Sequence, residues 1–175
     1  MYMKSLAVFG TGSDVGKTTI VMALCRIFAD QGIKVAPFKA QNVSNNSAVT
    51  HEDREISRAQ CLQADAARIA PSYIFNPVLL KPHDDGTVQV IVNGLEHKKL
   101  SNAAYYEEIE HLKLQVRQAF TRVEQDYELV IAEGAGSPVE LNLLDKDLSN
   151  SFIATTFNTK NILVADIERG GVFAS

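Results

Sequence analysis

The 175 residues carry a formal net charge of −4 at neutral pH, with the acidic side chains scattered along the chain. That balance gives no reason to expect a nucleic-acid partner, whose backbone favours basic faces, and there is no acidic tail. Hydrophobic residues make up 46% and charged residues 22%, proportions of a globular domain long enough to bury a core without disulfides. No apolar run approaches the roughly 18–20 residues of a membrane span. The N-terminus runs straight into a strand-like segment without a leader pattern, so a cytoplasmic protein with no membrane partner is expected.

In chain order, Ser5-Leu-Ala-Val-Phe9 is a short apolar run before a Gly-rich turn, the pattern of a buried strand. From Lys17 to about Gln31, Ile20, Val21, Leu24, Ile27 and Phe28 recur at helical spacing, and Gly32 supplies a stop. Val35 to Phe38 reads as a second strand. The polar stretch from Lys39 to Glu52 is longer than an economical connection, which predicts a functional or disordered loop. A helix is expected from Asp53 to about Ile69, then strands over Val78–Leu80 and Val88–Val92 with Asp84-Asp-Gly86 turning between them. Ser101 to about Glu124 reads as one long amphipathic helix. Leu129 to Ala132 is a strand running into Glu133, Leu148 to Phe157 a weaker helix, and Ile162 to Ala165 a last strand before Asp166 and Gly170-Gly171.

Short apolar strands alternating with helices predict an α/β fold: a doubly wound, mainly parallel sheet with helices on both faces, of the P-loop NTPase type. Ligands bind beyond the C-terminal strand ends of such sheets. Those ends carry Gly10–Thr19, Lys39–Ser47, Glu133–Ser137 and Asp166–Gly171. The chain stops soon after an apparent strand, which is read as a domain cut short at its C-terminus.

Gly10-Thr-Gly12-Ser13-Asp14-Val15-Gly16-Lys17-Thr18-Thr19 is the strongest motif. Glycines let backbone N–H groups approach a phosphate chain, and the following helix N-terminus adds its dipole. Lys17 would reach the β- and γ-phosphates and the Thr18 hydroxyl would ligate Mg²⁺, which makes ATP and magnesium the expected cofactors. Lys39 could neutralise a transferring phosphoryl group or a substrate carboxylate; a solvated surface lysine is the alternative. Gln41, Asn42 and Ser47 follow it as candidate substrate contacts. Glu133 at its strand end could hold Mg²⁺ or its water shell, and Gly134, Ala135, Gly136 and Ser137 are small enough to admit substrate to the backbone. Glu55 or Asp65 could be a second metal ligand; Glu55 is favoured because it lies nearer the strand ends. Arg169 lies in a candidate nucleotide or substrate loop. Cys25 and Cys61 read as buried thiols, and His51, His83, His97 and His111 are too dispersed for catalytic pairing. No Gly-x-Ser-x-Gly elbow is present, so the expected chemistry is phosphoryl transfer by positioning and charge neutralisation.

The segments Gly12-Ser-Asp-Val-Gly-Lys-Thr18, Val35-Ala-Pro-Phe-Lys-Ala-Gln-Asn42, Arg58-Ala-Gln60, Asn76-Pro-Val-Leu-Leu-Lys-Pro82, Val90-Ile-Val-Asn-Gly94, Glu133-Gly-Ala-Gly-Ser-Pro138 and Arg169-Gly-Gly-Val-Phe-Ala-Ser175 run in family order along the chain. In them the chain resembles the N-terminal, dethiobiotin-synthetase-like domain of the cobyric acid synthases, glutamine-dependent amidotransferases of cobalamin biosynthesis. The resemblance implies ATP-dependent amidation of corrinoid side-chain carboxylates, from cobyrinic acid a,c-diamide to cobyric acid. Each carboxylate would be phosphorylated and the phosphate displaced by ammonia. It further implies catalytic roles for Lys17, Lys39 and Glu133, and a carboxylate at the start of the helix after Lys39, which again favours Glu55. The ammonia would come from a glutaminase domain outside these residues, and a homodimer is compatible with the family. A dethiobiotin-synthetase-like ligase and a nucleotide-binding scaffold are the competing expectations. A switch ATPase of the related division-site regulators would carry a second lysine where Gly10, Thr11 and Gly12 stand.

Overall fold

A computed structural model describes residues 4–138 and 146–167. Its centre is a four-stranded parallel sheet in the order β2–β9–β1–β10, formed by β1 (Ser5–Gly10), β2 (Val35–Phe38), β9 (Leu129–Glu133) and β10 (Lys160–Val164). The first three strands are buried along their whole length, which is why each reads as an uninterrupted apolar run.

Strand alternation divides these side chains between two cores. Val8, Val35, Leu129 and Ile131 face α1 (Lys17–Asp30) and the end of α2 (Arg58–Ala66), packing on Val21, Cys25 and Ala66. Ala7, Phe9, Ala36, Phe38, Val130 and Ala132 face the other way. There they meet Leu112, Val116, Ala119, Phe120 and Val123 of α4 (Ile109–Asp126), and Phe152 and Ile153 of α5 (Ser151–Thr156). Helices therefore cover both faces, and a doubly wound, mainly parallel α/β architecture is what the chain adopts. Phe120 is fully buried, edge-on to Phe38 at 4.9 Å and stacked on Phe157 at 3.8 Å. Phe120→Ala is expected to destabilise the fold by about 3–5 kcal/mol, read as a lower denaturation midpoint with an unchanged slope.

A second sheet, in the order β3–β6–β7–β8, continues from the edge of the first. It contains β3 (Gln41–Val43), β6 (Val78–Pro82), β7 (Thr87–Val92) and β8 (Leu95–Ser101). β3 pairs with β6 in parallel, and the other neighbours are antiparallel. Between β2 and β3 the backbone stays paired: Lys39 N donates to Phe75 O at 2.8 Å, and Ala40 O accepts from Val78 N at 3.2 Å.

Several expectations are corrected here. The polar stretch after Lys39 is not an irregular loop. It supplies β3 and β4 (Ser47–Val49), and β4 pairs antiparallel with β5 (Glu55–Ser57). The expected Asp53–Ile69 helix begins only at Arg58, where the Ser57 hydroxyl caps it by accepting from Ala59 N at 3.3 Å. The expected helix from Ser101 is two, α3 (Asn102–Glu107) and α4, separated at Glu108, whose carboxylate pairs with Lys98 at 2.5 Å. β8 has too many charged residues to read as a strand, and neither it nor the turn before it was expected, although that turn carries a local signal. Asn93 and Gly94 both have positive φ, 50° and 76°, the requirement of the tight hairpin turn that Asn-Gly favours.

Candidate functional site

Parallel strands place their C-terminal ends on one side, so Gly10, Lys39 and Glu133 arrive together although they are far apart in sequence. The loop after β1 ends at Gly16, whose φ of 98° is a left-handed conformation open mainly to glycine. From there α1 starts with first-turn N–H groups that have no acceptor inside the helix. Gly10 is required for a different reason: a Cβ there would lie 2.6 Å from Val15 Cγ2 and 2.9 Å from Lys17 Cδ. The loop thus folds back over the lysine stem.

Lys17 is only 6% exposed, and its ammonium donates to Gly12 O at 2.5 Å and Gly136 O at 3.1 Å. Burial, reinforced by the nearby charge of Lys39, lowers its pKa from 10.5. Glu133 is 2% exposed and entirely surrounded by donors. Its Oε1 accepts from Lys39 Nζ at 2.6 Å and from Thr18 Oγ1 at 2.9 Å, while Oε2 accepts from Gln63 Nε2 at 2.5 Å. Lys39, 8% exposed, is therefore a buried ion-pair partner rather than solvated surface. The cleft over these groups is lined by Ser13, Asp14, Gly16, Thr19, Asn42, Ala135 and Gly136 as well. A hydroxyl and a carboxylate oxygen side by side are hard donors of the kind Mg²⁺ takes alongside phosphate oxygens, so the residues present fit magnesium.

Residues 6–174 match the family model described as the CobQ/CobB/MinD/ParA nucleotide binding domain. The chain belongs to this family. Nucleotide binding by the CobQ/CobB/MinD/ParA domain accounts for the glycine loop, the buried lysine and the helix N-terminus that meet at the cleft. The chain is 50% identical to a cobyric acid synthase of Acinetobacter baylyi over 99% of its own length and 37% of that protein's. It is 52% identical to a probable cobyric acid synthase of Thermoplasma acidophilum over 97% of the chain and 36% of the relative. A probable cobyric acid synthase of Methanothermobacter thermautotrophicus is 51% identical over 100% of the chain and 35% of the relative. The chain thus spans about a third of the length of these curated relatives.

The other expected site residues are distributed less uniformly. Gln41 and Ser137 line a neighbouring depression with Tyr105, Tyr106, Lys146 and Asn150, which shares Ala135 with the nucleotide cleft. The Tyr105 hydroxyl donates to Gln41 Oε1. Gly134 is buried: a Cβ there would run into Asn150 Oδ1 and approach Phe9 Cδ1 at 2.7 Å. Its small size therefore serves packing, and Asn150 is the residue sequence reasoning missed. Asn150 accepts from Ala135 N at 3.2 Å and donates to Ala135 O at 2.7 Å, which fixes the loop after β9.

Glu55 and Ser47 lie apart from these residues, on the β4–β5 ribbon, where Glu55 pairs with Val49 and Ser47 with Ser57, so that the two side chains meet diagonally. Glu55 Oε1 accepts from Ser47 Oγ and from Lys81 Nζ, both at 2.5 Å. Burial alone would push the Glu55 carboxyl up, but the hydrogen bonds from Lys81 and Ser47 and the lysine charge bring it below its ordinary value. Asp65 is on the exposed face of α2. Among the described residues no group of three or more His, Cys, Asp and Glu side chains is placed to hold a metal. Arg169 and Gly170-Gly171 lie outside the described residues. Cys25 and Cys61 are buried, and desolvation pushes the Cys25 thiol up to about 12, far from thiolate chemistry. No helix among the described residues is long and apolar enough to cross a membrane.

The Glu55–Lys81 pair is partly solvated, so Glu55→Gln is expected to cost no more than about 1 kcal/mol. A carboxyl held below 4.5 contributes stability above that pH and loses it as pH falls through the folded value. Wild-type and variant stabilities measured by urea unfolding should therefore differ at neutral pH and converge in acid below 4.5.

Proposed function

We propose that this chain is the ATP-dependent, carboxylate-activating part of a corrinoid amide ligase, converting cobyrinic acid a,c-diamide towards cobyric acid in cobalamin biosynthesis. One observation carries the reading: at the strand ends of a chain about half identical to cobyric acid synthases, two buried lysines and a carboxylate meet over a single cleft.

ATP with Mg²⁺ supplies the transferable phosphoryl group. Lys17, withdrawn from water and backed by the Gly12 and Gly136 carbonyls, offsets charge on the phosphate chain. The Thr18 hydroxyl and Glu133 carboxylate are the hard oxygen donors that would hold Mg²⁺ when it is bound. Lys39, entering from the end of β2 on the far side of Glu133 from the glycine loop, orients the substrate carboxylate and neutralises charge on the group in flight. A carboxylate oxygen of the substrate attacks the γ-phosphorus as the bond to ADP breaks. Ammonia then attacks the carbonyl carbon of the acyl phosphate, and inorganic phosphate leaves. The depression bearing Gln41 and Ser137 adjoins the cleft at Ala135 and offers room for the rest of the substrate. Glutamine would serve as ammonia source only through a glutaminase domain in the remaining length of the protein, and free ammonia bypasses that need.

The test is ADP release from ATP with magnesium and ammonium, with and without cobyrinic acid a,c-diamide. Release dependent on the corrinoid and accompanied by amide formation is expected. Corrinoid-independent release, or none from the full-length protein, would turn the assignment towards a dethiobiotin-synthetase-like ligase or a binding scaffold.

A further inference from the structure

We propose that Gln63 is a positioning residue for the Glu133 carboxylate, itself held in orientation by Gln60 and Asn42; this rests on the reading of Glu133 as a magnesium ligand. Gln60 and Gln63 are both 0% exposed on α2, a helix whose remaining buried side chains are small or apolar. Two uncharged amides withdrawn fully from water need a reason, because each donor and acceptor left unpaired there is costly. The reason is a one-way chain of hydrogen bonds. Gln63 Nε2 donates to Glu133 Oε2 at 2.5 Å, Gln60 Nε2 donates to Gln63 Oε1 at 3.3 Å, and Asn42 Nδ2 donates to Gln60 Oε1 at 3.1 Å.

Its direction follows from the anion at the end. An ionised carboxylate only accepts, so Gln63 must present its NH₂ to Glu133 and its oxygen to Gln60. Gln60 is then forced to present its own oxygen to Asn42. At the far end Asn42 Nδ2 also reaches Ser57 Oγ at 2.7 Å, which anchors the chain to the N-cap of α2. With Oε2 thus engaged, the carboxylate plane is fixed and Oε1 faces Thr18 and Lys39. Residues that orient a metal-binding carboxylate from behind typically change metal affinity by about 10- to 100-fold when removed.

The test separates metal-dependent from metal-independent nucleotide binding in the purified protein, using a fluorescent ADP analogue titrated with MgCl₂ and, separately, in EDTA. In Gln63→Leu, similar in volume but without hydrogen bonds, the magnesium concentration giving half the effect should rise about tenfold or more. Affinity in EDTA, carried by the glycine loop and Lys17, should stay the same. A magnesium titration superimposable on wild type, or equal losses with and without metal, would overturn the proposal. If Gln63→Leu does not fold, Gln60→Met is read in the same way; it frees Gln63 to turn, and a rise in the same direction is expected. A wild-type protein with no magnesium effect would instead remove the metal reading of Glu133, and this inference with it.

Discussion

Lys17→Ala is expected to weaken nucleotide binding by roughly 10- to 100-fold, the value of one or more hydrogen bonds to a charged group at about 1.5–3 kcal/mol. Among the described residues the ammonium is buried and hydrogen-bonded to the carbonyls of Gly12 and Gly136. Carbonyls position it without carrying a countercharge, and the pull of Glu133 and Asp14 is outweighed by burial and the charge of Lys39, so a phosphate chain is a favourable partner for it. Burial, which lowers its pKa from 10.5, also means that the charged form costs stability in the folded chain. Losing this side chain should therefore leave unfolding free energy within the range of ordinary substitutions, about 1 kcal/mol either way. Equilibrium binding of a fluorescent ADP analogue checks the affinity, and urea unfolding checks the fold; undiminished affinity would remove the phosphate role of the lysine.

The pH dependence has a definite sign. Between the depressed pKa and 10.5 the unfolded chain binds more protons at Lys17 than the folded one. Stability relative to the alanine variant should then rise with pH across that window. Phosphate acts in the opposite sense, favouring the protonated lysine, so nucleotide affinity of the wild type should fall as pH rises through the same window. The variant should lack both dependences.

Glu133→Gln should have a larger effect on the protein itself. Among the described residues the partners of this carboxylate are all donors: Lys39 Nζ, Thr18 Oγ1 and Gln63 Nε2. An amide brings an NH₂ to one of these positions and removes the charge opposite Lys39, a lysine only 8% exposed. Leaving one member of a buried pair without its partner costs about 3–5 kcal/mol, read as a fall in denaturation midpoint. The amide is best accommodated with its oxygen towards Lys39 and its NH₂ towards Gln63. Gln63, Gln60 and Asn42 must then turn over in sequence, each acceptor becoming a donor. The magnesium requirement for nucleotide binding should rise by about 10- to 100-fold at a temperature where the variant remains folded. An unaltered magnesium titration would count against Glu133 as a ligand.

The parts of this protein legible without its structure are those whose signal is local. Ser5–Phe9, Val35–Phe38 and Leu129–Ala132 are apolar at every or nearly every position, because a central parallel strand is covered on both faces. The glycine loop is equally local: Gly16 needs its left-handed φ, and Lys17 follows within the same turn. Lys39 and Glu133 are adjacent to such strands, and parallel topology alone carries them to the same end of the sheet. Chain order was sufficient to identify where a site should lie.

What the sequence left open depends on contacts between distant segments. Glu55 looked suited to the site when it was assigned to a helix N-terminus; on β5 its carboxylate meets Ser47 across the ribbon and Lys81 from β6. The polar run after Lys39 becomes strand because β6 and β5 offer it backbone partners, and pairing of that kind leaves little trace in composition. Gln60 and Gln63 carry no local signal of burial, yet they are buried because an anion 70 residues from Gln63 in the chain needs a donor. A strand's burial is set by its own side chains, and the sequence by itself determined those strands and the phosphate loop. Which polar groups are drawn inside depends on the charge they must satisfy, and only the tertiary structure decided that.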